Sequence, residues 1–146
     1  MVEISPLSDE DRDEWLILWD GYLTFYETEL DDVTTETTFA RLVAGDGAYG
    51  AIARDESGRA IGIVHWLTHL STWSKTDYCY LEDLFVAPDV RGTGAGRALI
   101  AYVRAWAEHH GSSQVYWLTA ETNATARRLY DRVAQRSGHI HYEIDL

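Results

Sequence analysis

The segment Val86-Ala87-Pro88-Asp89-Val90-Arg91-Gly92-Thr93-Gly94-Ala95-Gly96-Arg97 joins an apolar run to a helical pattern through closely spaced glycines. Glycine lets the backbone approach a ligand closely, and free N–H groups at a helix start favour an anion. A ligand carrying phosphates is therefore expected here. The dinucleotide pattern G-x-G-x-x-G fails, because its third glycine falls on Arg97 counting from Gly92 and on Leu99 counting from Gly94. The Walker pattern fails because no Gly-Lys-Ser/Thr is present. The pattern that matches is Arg-x-x-Gly-x-Gly, at Arg91, Gly94 and Gly96. Upstream, Glu82-Asp83 interrupts the apolar-aromatic run Tyr78–Val86. A glutamate in an apolar strand has a raised pKa, which suits a base near neutral pH. Side chains alternate along a strand, so Asp83 is expected on the opposite sheet face. Downstream lies Asn123-x-x-Ala126-x-x-x-Tyr130, whose spacing puts Asn123 and Tyr130 on one helical face. Tyr130 is equally a core aromatic by spacing alone.

These groups need a scaffold, and its elements are readable. Val2–Ile4 can start an edge strand. Ser8-Asp9-Glu10-Asp11 is a helix start, with Trp15, Leu18, Trp19, Tyr22 and Tyr26 following at helical spacing. Glu27–Thr38 is polar and reads as a loop or short helix, with Phe39–Val43 helical. Ala48–Arg54 and Ala60–Leu70 form a hairpin about the turn Asp55-Glu56-Ser57-Gly58. Ser71–Asp77 is a loop, and Tyr78–Val86 a central strand. Leu99, Tyr102, Val103, Trp106 and His110 mark a helix that Gly111 ends. Gln114–Thr119 reads as a strand, Asn123–Arg136 as a helix and His139–Ile144 as a last strand. The order implies a mixed α/β fold in one domain over residues 1–146.

Composition narrows the function. The 146 residues carry a net charge of −12, which argues against nucleic acid as a partner. Residues 1–83 hold 18 Asp and Glu against 5 Lys and Arg, while residues 84–146 hold 6 against 7. An acidic half attracts a cationic ligand, or simply keeps the protein soluble. No run approaches the ~20 apolar residues of a membrane span, and no leader pattern opens the chain. A cytoplasmic protein without a membrane partner is expected. Cys79, the only cysteine, excludes an internal disulfide and a zinc-thiolate cluster. Its apolar strand reads as the place of a buried, inert thiol.

Taken together, Arg91–Gly96 after an apolar strand and Asn123, Ala126 and Tyr130 on a later helix resemble the GNAT family of acetyltransferases. The resemblance spans most of the chain and is sharpest over Tyr80–Tyr130. His69–Trp73, Tyr80–Val86 and Tyr116–Tyr130 look most like the fungal histone/polyamine and spermidine/spermine-type enzymes. The Leu-Glu-Asp at Leu81–Asp83 is shared with the latter.

The resemblance implies the GNAT acyl-CoA N-acyltransferase fold, a central, mostly antiparallel twisted sheet flanked by helices and splayed at the acetyl-CoA site. It implies acetyl-CoA as co-substrate and no metal. The pyrophosphate would lie on the amides of Arg91, Gly92, Thr93, Gly94, Ala95, Gly96 and Arg97. The pantetheine arm would pair with the strand backbone at Phe85 and Val86, with Asn123, Ala126 and Tyr130 along its other side. Tyr130 would protonate the leaving sulfur, the Leu84 N–H would bind the oxyanion, and Glu82 would be the base, directly or through water. Asp83 is the lesser candidate for the base, and one of the two acids can instead be structural. The acceptor would lie among Tyr26, Glu27, Glu29, Asp31, Asp32, His69, Trp73 and Glu82, where carboxylates and rings suit an ammonium. A solvated acidic loop explains the same acids.

Polyamines, amino acids of either hand and peptide lysines are candidate acceptors, so a protein or histone-lysine acetyltransferase stays open. So does a non-catalytic acyl-CoA-binding module, although that needs neither Glu82 nor Tyr130. His139 and His141 alternate with Glu143 as on a surface strand, and His109 and His110 suit a helix C-terminus. His139–Leu146 can pair with a second subunit in a homodimer.

Overall fold

A computed structural model describes residues 1–146. The elements run β1 (Glu3–Pro6), α1 (Arg12–Phe25), α2 (Asp32–Ala44), β2 (Tyr49–Arg54), β3 (Ala60–His69), β4 (Tyr78–Val86), α3 (Ala95–His109), β5 (Gln114–Tyr116) and α4 (Ala124–Val133). The strands lie in one sheet in chain order, antiparallel from β1 to β4 and parallel between β4 and β5.

The sheet is covered on both faces, which explains the continuous apolar runs of β2 and β3. On one face α3 packs Leu99, Ile100 and Val103 against Ala51, Val64, Trp66, Cys79 and Leu81. On the other, α1 and α2 pack Trp15, Leu18, Trp19, Phe39 and Leu42 against Ile52, Ile63 and Phe85. Gly21 lets α1 lie close over β4, since a Cβ there would come within 2.9 Å of the Phe85 ring. Arg54 on β2 ties the start of α1 down, donating to Asp11 at 2.6 Å and Glu14 at 2.8 Å.

Two expected elements differ, and a third is decided between its alternatives. Of the loop or short helix read over Glu27–Thr38, the part from Asp32 is helical and runs on into α2, because Asp31 caps it by accepting from the Thr34 N–H at 2.7 Å. Thr35, Phe39 and Leu42 then share one buried face. The strand expected over Gln114–Thr119 ends at Tyr116, where β5 leaves β4. His139–Ile144 forms no strand: the segment alternates correctly but finds no partner within the chain, and Ile140, Tyr142 and Ile144 stand exposed.

Candidate active site

Strand β5 pairs with β4 only from Tyr78 to Tyr80. Beyond that point β4 continues to Val86 with β3 on one side and an open edge on the other. The Ala87 N–H donates to the Ile61 carbonyl at 2.8 Å, so alternation turns the Phe85 and Asp83 amides towards β3. The Leu84 and Val86 amides therefore face the open edge. The side chain of Arg91 confirms the direction, its Nε donating to the Val86 carbonyl at 3.1 Å from that side. Its guanidinium lies over the rings of Phe25 and Phe85, at 5.6 and 5.5 Å.

After Pro88–Val90, a single 3-10 turn, the chain passes through Gly92 (φ 84°) and Gly94 (φ 95°) into α3. Both are left-handed conformations that favour glycine. No amide from Arg91 to Arg97 donates to a backbone carbonyl, and the first bond of the helix is Ala98 N–H to Gly94 O at 3.0 Å. A Cβ built on Gly92 or Gly94 would meet nothing within 4 Å, so the space beside these donors is open. A run of unpaired N–H groups ending on a helix N-terminus fits a pyrophosphate.

Between loop and pairing region, β4 carries a bulge. The β3–β4 register passes from His65 opposite Asp83 to Trp66 opposite Leu81, leaving Glu82 as the extra residue. Cys79 and Leu81 pack on the α3 face, and so do Leu84 and Val86. Phe85 and Ala87 pack on the α1/α2 face. Counting inwards from both sides puts Glu82 and Asp83 together on the α1/α2 face. The expectation that Asp83 points to the other sheet face is thus corrected, because the extra residue resets the alternation.

Packing around Glu82, and next the charge of Asp83, hold the Glu82 carboxyl above its usual range, although the residue stays open to solvent. Asp83 is anchored from below. The Trp15 indole N–H donates to Nε2 of His65 at 3.0 Å, leaving the proton of the neutral ring on Nδ1, which meets Asp83 Oδ2 at 2.9 Å. Burial, then the neighbouring charge of Asp83, raises the pKa of the Tyr22 phenol above it.

Tyr130 is half-buried on α4, edge-on to Trp117 at 5.4 Å between ring centroids. Burial and its neighbour Tyr26 push its pKa up, so it keeps its proton at neutral pH. Burial, and then the charge of Asp83, push the Tyr26 phenol up as well. Asn123 caps α4, its Oδ1 accepting from the Ala126 N–H at 3.3 Å.

The family model described as "Acetyltransferase (GNAT) family" matches residues 9–134. This chain belongs to that family. The acetyltransferase is 35% identical over 144 residues to the D-amino-acid N-acetyltransferase HPA3 of Saccharomyces cerevisiae, covering 97% of this chain and 89% of that one. In fold it is similar to a ribosomal-protein-alanine N-acetyltransferase from Brucella melitensis biovar Abortus 2308, with TM-score 0.83, 21% identity and 100% of both chains covered. It is also similar in fold to AAC(6')-Iy in complex with a CoA-S-monomethyl-acetylneamine bisubstrate analogue, with TM-score 0.86, 17% identity, and 100% and 99% coverage. The chain is thus an N-acetyltransferase with a mixed α/β fold.

Not every residue expected at the acetyltransferase's site converges there. Glu27, Glu29, Asp31 and Asp32 are exposed, and Asp31 is engaged in capping α2. Glu27 adopts φ 52° at the turn after α1. Trp73 projects into solvent, 87% exposed. His69 bonds the Tyr116 hydroxyl at 2.7 Å, and Tyr116 stacks on Tyr80 at 4.9 Å, closing the corner where β4 and β5 part. Cys79 is fully buried, its thiol pushed up to about 11 by burial. His141 pairs only with Glu143, at 3.2 Å on the surface, and His110 bonds the Trp106 carbonyl at 2.8 Å. Sequence reasoning missed Trp15, His65 and Tyr22. The available signal was a lone histidine inside the apolar run of β3.

Proposed function

We propose that this enzyme moves the acetyl group of acetyl-CoA directly onto the primary amine of a small acceptor, an amino acid or a polyamine. The observation that carries the reading is the open edge of β4. It sets the Leu84 N–H between the free amides of Arg91–Arg97 and the carboxylates of Glu82 and Asp83. The pyrophosphate lies on that loop, and the arm runs along Phe85 and Val86 with Asn123 and Ala126 opposite. Glu82 takes the proton of the ammonium, directly or through water, and the amine attacks the thioester carbon. The Leu84 N–H donates to the oxyanion. As the C–S bond breaks, Tyr130 gives its proton to the sulfur and regains one as the attacking nitrogen sheds its surplus proton, leaving the neutral amide and the free thiol of CoA.

The named activity of HPA3 supports an amino-acid acceptor. The adjacent acids and the aromatic rings of Tyr22, Tyr26, Tyr80 and Tyr116 support an ammonium group. Free-CoA release is measured with both hands of several amino acids, spermidine, spermine, a diamine and a histone-tail peptide. One preferred small amine is the expected result. Preference for the peptide, lost steeply with salt, would make it a protein acetyltransferase. Tight acetyl-CoA binding with no turnover would make it a binding module.

The reading extends to assembly. The enzyme works as one domain in the cytoplasm, and as a homodimer in which residues 139–146 of each copy add a strand to its partner. Ile140, Tyr142, Ile144 and Leu146 alternate along that exposed segment. A sedimentation mass twice 16.6 kDa at micromolar concentration is expected, and 16.6 kDa would rule the dimer out.

A further inference from the structure

The acid pair is not a free-standing surface feature. Asp83 is bonded to a histidine that is 3% exposed, in a core built mainly from rings and aliphatic chains. A buried histidine must satisfy both ring nitrogens, and what sets this one apart is that its Nδ1 partner is a carboxylate adjacent to Glu82. Here Trp15 supplies a donor to Nε2 and Asp83 an acceptor to Nδ1, at 3.0 and 2.9 Å. The indole N–H donates into Nε2, so the ring's own proton sits on Nδ1 and points at the carboxylate. We infer that His65, locked in one tautomer by Trp15, is a positioning residue that holds Asp83 aimed beside Glu82, so that the two carboxylates act together as the base of acetyl transfer. The inference rests on the reading of Glu82 as the proton acceptor.

The groups facing this pair are Tyr80 on its own strand, His65 from β3, Tyr22 and Tyr26 from α1 and Tyr116 from β5. The phenols of Tyr22, Tyr26, Tyr80 and Tyr116 are all shifted upward, away from neutral pH. Between pH 5 and 8 the acid limb of the rate profile therefore reports the carboxylates. His69, behind Tyr116, is controlled by His69→Asn.

The test is the pH dependence of kcat/KM for one amine across a variant set. Asp83→Asn removes the charge beside Glu82 and moves the acid limb down by on the order of one pH unit. His65→Leu removes the donor, so the Asp83 carboxylate is no longer held beside Glu82 and the limb moves the same way. Trp15→Phe keeps the ring packing but removes the bond that fixes the tautomer, so the Nδ1 proton is no longer committed to Asp83. It too moves the limb down. His65→Asn keeps an N–H near the position of Nδ1 and leaves the limb near its wild-type place. The double variant His65→Leu/Asp83→Asn moves it no further than Asp83→Asn alone.

A limb unmoved in both His65→Leu and Trp15→Phe, with Asp83→Asn shifted, would overturn the inference and leave His65 a core residue. Should His65→Leu fail to fold, Trp15→Phe decides alone. Failure of the underlying reading looks different: Glu82→Gln would then keep both the wild-type rate and the wild-type limb.

Discussion

Replacing Gly94 by alanine isolates the role of the glycine loop, and Gly58 supplies its control. The two residues have nearly the same backbone, φ 95° and φ 88°, and a Cβ on either meets nothing within 4 Å. Steric contact therefore contributes nothing, and the cost of each substitution is the left-handed conformation itself, roughly 1–2 kcal/mol. What differs is how each site can respond. Gly58 is held in its turn, its N–H bonded to the Asp55 carbonyl at 2.9 Å and its neighbours to the Asp55 side chain at 3.0 and 3.1 Å. The strain there should appear as lost global stability, a fall of about 2–4 °C in melting temperature per kcal/mol at this chain length. The loop around Gly94 is held by side chains, Arg91 Nε and the Thr93 hydroxyl donating to the Val86 and Val90 carbonyls, while the Gly94 N–H itself is unbonded, so strain there relaxes locally. The same 1–2 kcal/mol then appears as acetyl-CoA affinity weakened by about 5–30-fold. Calorimetric titration of acetyl-CoA, with thermal melts on the same samples, separates the two. Equal affinity in Gly94→Ala and Gly58→Ala would refute the claim that this loop's conformation binds the cofactor.

Three further outcomes follow from the site. Tyr130→Phe should lower kcat by about 10²-fold or more while leaving acetyl-CoA affinity near wild type; equal loss of both would make Tyr130 structural. Because Glu82 works deprotonated and its pKa is raised, kcat/KM should fall as pH drops through a value above the usual carboxylate range, and stopped-time assays of Glu82→Gln should lose that limb. Cys79, fully buried with its thiol near 11, should resist alkylation at neutral pH, and Cys79→Ala should keep the wild-type kcat; inactivation by iodoacetamide would contradict this.

Most of the scaffold was legible because it obeys local rules. The glycine loop and the strands β2 to β4 each have a signal within a few residues. The bulge at Glu82 does not. One inserted residue leaves the apolar run Tyr78–Val86 intact in sequence, yet it moves Asp83 to the face of its neighbour. The Trp15–His65–Asp83 bonds join positions 50 and 18 residues apart, beyond any periodicity. Helix α2 was obscured by the threonines of its first turns, whose propensity is poor, and is secured by the Asp31 cap and the burial of Thr35, Phe39 and Leu42. The C-terminal segment shows the reverse error. Its alternation is that of a strand, but a strand forms only where an edge is offered to it.

The most direct test of acetyl transfer is to follow free thiol from acetyl-CoA with and without an amine, and to weigh the amine by mass spectrometry in the same reaction. The account expects thiol release that depends on the amine, matched one-for-one by an amine heavier by a single acetyl group, for at least one amino acid or polyamine. Thiol release indifferent to every amine, with no acetylated product, would contradict it.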